Sequence, residues 1–193
     1  MYIPKQFEIT DKDEIFSFIK GVAFGQLISH VDNQLFSSHI PFLVSDDNIF
    51  LICHIAKQNP QWKDIEGQEV LVTFQGPHDY ISPSWYKSPG VPTWNYQSVH
   101  IYGNAKIVTD SEKIKKIIED LTDIYESSSN TPWVPEYKGS LLNVIVGIEI
   151  QITKIQCKYK LSQNRSVVDQ KQMIKELKIK GSTKLAQAMK NGL

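Results

Sequence analysis

Three apolar runs follow one another between residues 22 and 55 with very little between them: VAFGQLISHV (22–31), QLFSSHIPFLV (34–44) and NIFLICHI (48–55). Asp32-Asn33 and Asp46-Asp47 make the connections, and such side chains tolerate the backbone of tight hairpin turns. Strands joined so briefly pair antiparallel, because a parallel pair needs a long crossover. This feature sets the chain apart from a doubly wound parallel sheet, which requires regular alternation of strands and helices.

The remaining elements extend the pattern. Strands are expected at 69–75, 78–82 and 94–109, and a long one at 143–159, where Val144, Val146, Ile148, Ile150 and Ile152 share a face. A short helix fits Thr10 to Gly21, with Thr10 or Asp11 as its cap. The clearest helix is DSEKIKKIIEDLTDIYES (110–127): Ile114, Ile117, Ile118, Leu121, Ile124 and Tyr125 fall at helical spacing, and Thr109 with Glu112 forms a possible capping box. A Ser/Pro-rich loop (127–135) follows, and one or two basic helices, at about 168–179 and 182–190, close the chain. About seven strands with one inserted helix predict a mainly β fold with peripheral helices, a closed antiparallel barrel.

At 193 residues and 41% apolar content, the chain suits one large domain or one domain plus an appendage. No apolar run approaches the roughly 20 residues that span a bilayer, and the N-terminal MYIPKQFEIT lacks a secretory pattern. Cys53 and Cys157 form no CxxC, so they read as reduced thiols of a cytoplasmic protein with no membrane association. The formal net charge of zero hides an imbalance: residues 151–193 carry nine Lys and Arg165 against Asp169 and Glu176. Two readings fit this basic end, a solvated helix face and a nucleic-acid contact. Arg165 is the sole arginine, which suggests a need for planar, bidentate hydrogen bonding.

Neither GxGxxG nor GxxxxGK[ST] occurs, no GxSxG stands out, and the five histidines lack metal-ligand spacing. LICHIAKQNPQW (51–62) is more informative: a strand ends, Lys57 follows, and a helix opens at Asn59-Pro60. Free N–H groups at a helix start beside a Lys suit a phosphate, although an ordinary capped helix fits too. SSHIPFL (37–43) adds hydroxyls and an imidazole next to the strand bearing His54. Tyr80, Trp85, Trp94 and Tyr96 supply flat aromatic surface, and KLSQNRS (160–166) supplies amides. A phosphate cradle, an aromatic wall and amides for ring edges are the requirements of flavin mononucleotide, FMN. Trp94 and Asn95 have a second reading, in which the aromatics simply plug a barrel end.

MYIPKQF at the start, H-x-A-K-x-N-P-Q-W at 54–62, SPSWY at 82–86, V-P-T-W-N-Y-x-x-V-H-x-Y-G at 91–103 and K-L-S-Q-N-R at 160–165 together resemble the PaiB family of FMN-binding negative transcriptional regulators. The resemblance runs from Met1 to about Asp169. It implies a split β-barrel of the pyridoxamine-phosphate-oxidase-like kind over 1–166; the basic helical segment at 167–193, read from its residues, lies almost wholly outside the matching motifs. It also implies a homodimer with FMN at the subunit interface, and repression of sporulation and protease genes. On the matching positions, Ser37, Ser38 and His39 would face the flavin, and His54, Lys57 and Asn59 would lie toward its phosphate. Trp94 and Asn95 would join the site or reach it from the second subunit, and Lys160, Gln163, Asn164 and Arg165 would close over the cofactor. Three functions stay open: the repressor that the resemblance implies, which without a helix-turn-helix pattern would contact DNA through its basic C-terminal segment, a flavin-dependent oxidoreductase with no visible catalytic constellation, and a redox-sensing module acting through a partner protein.

Overall fold

The computed structural model describes residues 1–127, 129–131, 133 and 142–192, so the loop expected at 127–135 lies partly outside the described residues. Eight strands and five α-helices are described. The strands are β1 (Glu8–Ile9), β2 (Phe24–Val31), β3 (Gln34–Pro41), β4 (Leu43–Val44), β5 (Phe50–Ala56), β6 (Glu69–Ile81), β7 (Thr93–Val108) and β8 (Ile145–Lys160). The helices are α1 (Lys12–Val22), α2 (Gln61–Asp64), α3 (Ser111–Glu126), α4 (Val167–Lys180) and α5 (Thr183–Asn191).

Sheet order is β3-β2-β6-β7-β8-β5-β4, with β1 also pairing on β8. The β2–β3, β2–β6, β4–β5, β5–β8 and β1–β8 pairs are antiparallel, and for β2–β3 and β4–β5 the short connections require it. Asp32 and Asn33 both adopt positive φ, 50° and 61°, the handedness that lets a two-residue turn follow strand twist. The second connection is longer than two residues. Asn48 takes the left-handed position (φ 58°), while Ser45 Oγ accepts from the N–H groups of Ile49 and Phe50. The segments expected as separate strands at 69–75 and 78–82 form one continuous strand. Gly76 and Pro77 weaken strand propensity without interrupting the ladder.

Cap chemistry explains where the helices start. Asp11 Oδ1 accepts from Glu14 N (3.0 Å) at α1, and Asp110 Oδ1 accepts from Lys113 N (2.9 Å) at α3. The α3 cap is therefore Asp110, one residue beyond the expected Thr109. Ser166 caps α4, and Gly181, with φ 90°, ends it.

The chain groups into two compact units. One comprises Met1–Ile15, Gln75–Val99 and Gln156–Leu193; the other comprises Phe16–Phe74 and His100–Ile155. In the first, Ile81, Val99, Met173, Leu177, Leu185 and Met189 form a buried apolar centre, so α4 and α5 contribute directly to packing. In the second, Leu27, Leu51, Val72, Phe74, Ile101, Ile148 and Ile150 are buried, and Phe42 meets Phe74 edge-on at 5.5 Å. Among the described residues no helix is long and apolar enough to cross a membrane.

Gly103 on β7 lies where any Cβ would fall against the Gln151 carbonyl oxygen of β8, inside contact distance. Backbone cannot yield there as a flexible side chain could. Gly103→Ala should therefore lower stability by about 1–3 kcal/mol, measured by urea denaturation.

Candidate functional site

The β2–β3 hairpin sets Ser38 opposite Leu27 and His39 opposite Gln26. Along β3, half-buried Ser38 and Ile40 alternate with exposed Ser37 and His39. On β5, His54 stands half-buried between the buried Cys53 and Ile55. Beyond Ala56 the chain turns back. Asn59 N donates to Ala56 O (2.9 Å), and the Trp62 indole donates to Lys57 O (2.8 Å). This turn delivers Asn59 to β3, where its Nδ2 donates to Ser38 Oγ at 2.8 Å. Ser38, His39, His54 and Asn59 thereby line one cleft of about 430 Å³, with Ile40, Ile55 and Ile145 among its apolar walls. That volume lies within the usual range for small-molecule sites.

The cleft holds an unmet hydrogen-bonding demand. His54 Nδ1 is buried without a hydrogen-bond partner, and burial holds the His54 pKa below its ordinary value, so the ring is neutral at pH 7. His39 is already engaged, with its Nε2 2.9 Å from Gln26 Nε2 and its ring stacked on Phe24. Lys57 and Ser37 are exposed and are not among the residues lining the cleft. The expected anion site at the helix start is reduced: α2 is a single turn, and Asn59 Oδ1 already accepts from the Gln61 N–H at 3.0 Å. Any electrostatic hold on a phosphate here falls to side chains.

Gln61 was not foreseen as a functional residue, although it stands in the N-P-Q-W motif. It is fully buried, and its Nε2 donates to Leu27 O (3.1 Å) and Ser29 Oγ (2.9 Å) of β2. A chain of bonds thus runs from β2 through Gln61 and Asn59 to Ser38, which faces Leu27 across the hairpin. Periodicity offers no signal for this residue, because a one-turn helix has no apolar stripe to interrupt.

The other predicted residues assemble elsewhere. Asn95 is fully buried; its Nδ2 donates to Ser162 Oγ (2.9 Å) and to Met189 Sδ (3.4 Å), and its Oδ1 accepts from Ser162 Oγ. Trp94 is 54% exposed and sits against His78 and Tyr80. Lys160 Nζ donates to Thr93 Oγ1 and to Trp94 O, and burial together with Lys158 and Arg165 lowers its pKa. Gln163 bridges Leu161 N and Tyr159 O, while Asn164 is exposed at the same turn. Arg165 lies over the Tyr86 ring, 4.4 Å from its centroid, and donates to Pro89 O. These bonds shape the left-handed turn at Ser162 (φ 65°) that links β8 to α4. Asp169, also unforeseen, holds the 86–89 segment by accepting from Lys87 N and Ser88 Oγ. Both cysteines are buried, and burial pushes the Cys157 thiol up to about 12, so neither is a reactive thiolate.

Comparison with solved structures identifies the fold class. The chain matches a flavocytochrome of Azotobacter vinelandii with TM-score 0.66 and 14% identity, covering 82% of this chain and 72% of that one. It also matches an FAD- and heme-binding protein of Mycobacterium smegmatis with TM-score 0.66 and 11% identity, covering 84% and 78%. The fold is a split β-barrel with helices, as the sequence led one to expect. Residues 1–154 match the family described as "Putative FMN-binding domain". The chain is 40% identical over 188 residues to the "Protease synthase and sporulation protein PAI 2" of Bacillus subtilis, covering 92% of this chain and 89% of that protein. The chain belongs to this PaiB family of FMN-binding domains, for which FMN is the cofactor.

Leucine at position 61 would leave Leu27 O and Ser29 Oγ without this donor and unfasten from β2 the one-turn helix whose backbone N–H meets Asn59 Oδ1. Gln61→Leu should cost about 1–3 kcal/mol in urea denaturation and weaken FMN binding in a fluorescence titration.

Proposed function

We propose that this chain binds FMN in the β3–β5 cleft and acts as a PaiB-like negative regulator of transcription. The observation that carries the reading is the convergence of Ser38, His39, His54 and Asn59 on one cleft whose buried His54 Nδ1 lacks a partner. The donor set fits the cofactor: a hydroxyl, a carboxamide and two imidazoles can meet polar ring edges, and Ile40, Ile55 and Ile145 give the ring an apolar wall. Lys57 supplies the cation for the phosphate, and the Asn59 carboxamide, held by Gln61, keeps the cleft wall in place. FMN when bound supplies redox chemistry that protein side chains lack. Neutral His54 is suited to hydrogen-bond the ring without adding charge.

A second copy of the chain would complete the site. β3 is an edge strand, and Leu35 and Phe24 stand 75% and 55% exposed on the β2–β3 hairpin. In such a homodimer, Trp94 and Asn95 serve from the second subunit, Trp94 through its exposed face and Asn95 by fixing the turn beside it. Lys160, Gln163, Asn164 and Arg165 act by shaping that same turn.

Titrating FMN into the flavin-free protein should quench flavin fluorescence. Lys57→Glu should weaken FMN on the order of tenfold by placing like charge near the phosphate. Riboflavin, which lacks the phosphate, should bind both forms alike. A lack of quenching with wild-type protein would remove the cofactor assignment.

The regulatory part rests on the name of the Bacillus relative and on charge. Lys171, Lys175, Lys178 and Lys184 are exposed on α4 and α5, where lysines contact DNA phosphates without reading bases; Lys180 is instead tied to Asp79 at 2.5 Å. A mobility-shift assay should show binding that weakens steeply with salt, and a preference for promoter over random DNA is the result that would support repression, since phosphate contacts alone give none. The second reading, a flavin-dependent oxidoreductase, draws on the neutral, unpartnered His54 beside the cleft. Equal affinity for random DNA, joined to steady NADH consumption by FMN-loaded protein, would select it.

A further inference from the structure

We propose that a second cavity, formed by α3 against Pro41 and His54, binds an uncharged, flat aromatic molecule carrying one hydrogen-bonding heteroatom. The cavity measures about 320 Å³, and Ile118, Leu121, Tyr125 and Glu126 of α3 line it together with Pro41 and His54. This goes beyond the flavin reading and does not require it, although Pro41 and His54 also line the flavin cleft.

Three observations carry the assignment. First, the apolar arc of α3 is wider than the core it covers. Ile117 and Leu121 pack with Leu43 and Ile52, whereas Ile118 is only half-buried and Tyr125 is 50% exposed. An arc of that width makes an apolar floor for a ring. Second, the polar groups at the margin select by charge. Glu126 Oε2 accepts from Trp133 N at 2.9 Å, which fixes a carboxylate at the rim and disfavours an anion. Third, the wall shared with the flavin cleft adds no charge, because burial keeps the His54 imidazole neutral, and the Glu126 carboxylate can accept from a single hydroxyl on the ligand. FMN, with its phosphate charge, suits the Lys57 side and is poorly matched to Glu126. The two cavities thus favour ligands of different charge.

2-Naphthol and 2-naphthoate share a ring system and differ in charge at pH 7, so they serve as probes in equilibrium dialysis with the full chain, with and without FMN. Saturable 2-naphthol binding is expected in both forms, with 2-naphthoate at least about tenfold weaker. Ile118→Trp should fill the cavity and lower 2-naphthol affinity by about tenfold or more, with the FMN titration unchanged. Glu126→Gln should narrow the gap between the two probes. The proposal is overturned by an absence of saturable 2-naphthol binding, by full displacement of 2-naphthol by FMN, or by unchanged affinity in a folded Ile118→Trp protein. Should circular dichroism show Ile118→Trp to be misfolded, the Glu126→Gln comparison decides, and an unaltered gap overturns the proposal. Failure of FMN to bind would overturn the flavin reading alone, because the 2-naphthol measurement on FMN-free protein stands apart from it.

Discussion

The register of the β2–β3 hairpin is the constraint on which the candidate site depends. Two residues with positive φ, Asp32 and Asn33, close the turn, and their handedness places Leu27 opposite Ser38. A slip of one residue would send every side chain of β3 to the opposite face. Ser38 would then turn away from Asn59, and His39 would leave Gln26. The site is therefore specified at the turn, several residues from the nearest cleft side chain.

Two buried carboxamides show how polar groups stabilise specific geometry inside an apolar setting. Gln61 joins a one-turn helix to β2, and Asn95 joins the start of β7 to the turn after β8 and to α5. Each is fully buried, and an amide buried without its partners would cost about 1–3 kcal/mol. The bonds of Asn95 and of Gln61 Nε2 offset that cost only in one arrangement of the surrounding chain, while Gln61 Oε1 stays without a partner. Such residues trade general stability for a unique conformation. Gln61 accordingly steadies the cleft wall without lining it, and Asn95 steadies the turn that carries Arg165.

His54 combines properties that packing alone would not call for. It occupies a strand position between buried neighbours, is held neutral by burial, and leaves one ring nitrogen unsatisfied. Asn48 Oδ1, Gln61 Oε1 and His100 Nδ1 are also buried without partners, and of these four residues only His54 lines the β3–β5 cleft. Membership in a family of FMN-binding domains gives the ligand class proposed for the cleft, while the charge at Glu126 argues for a different class in the neighbouring cavity.

Much of the fold was legible in the sequence because its signals are local. Alternation in β8, helical spacing in α3 and turn residues at Asp32-Asn33 each act within a few positions. The five motif segments identified the family for a related reason, since they are contiguous stretches. Ser38, His39, His54 and Asn59 could be named in advance as well, each from its own segment. What the chain order left open was how those side chains are used. Asn95 and Arg165 looked like ligand contacts, yet in the tertiary structure their polar groups meet Ser162, Met189, Tyr86 and Pro89. Gln61 and Asp169 carried no local signal, because their partners lie 32 or more residues away. Local propensity determined the strands, helices and turns. Only the folded chain decided which polar groups satisfy one another and which remain for a ligand, because a hydrogen bond depends on where both partners stand in space.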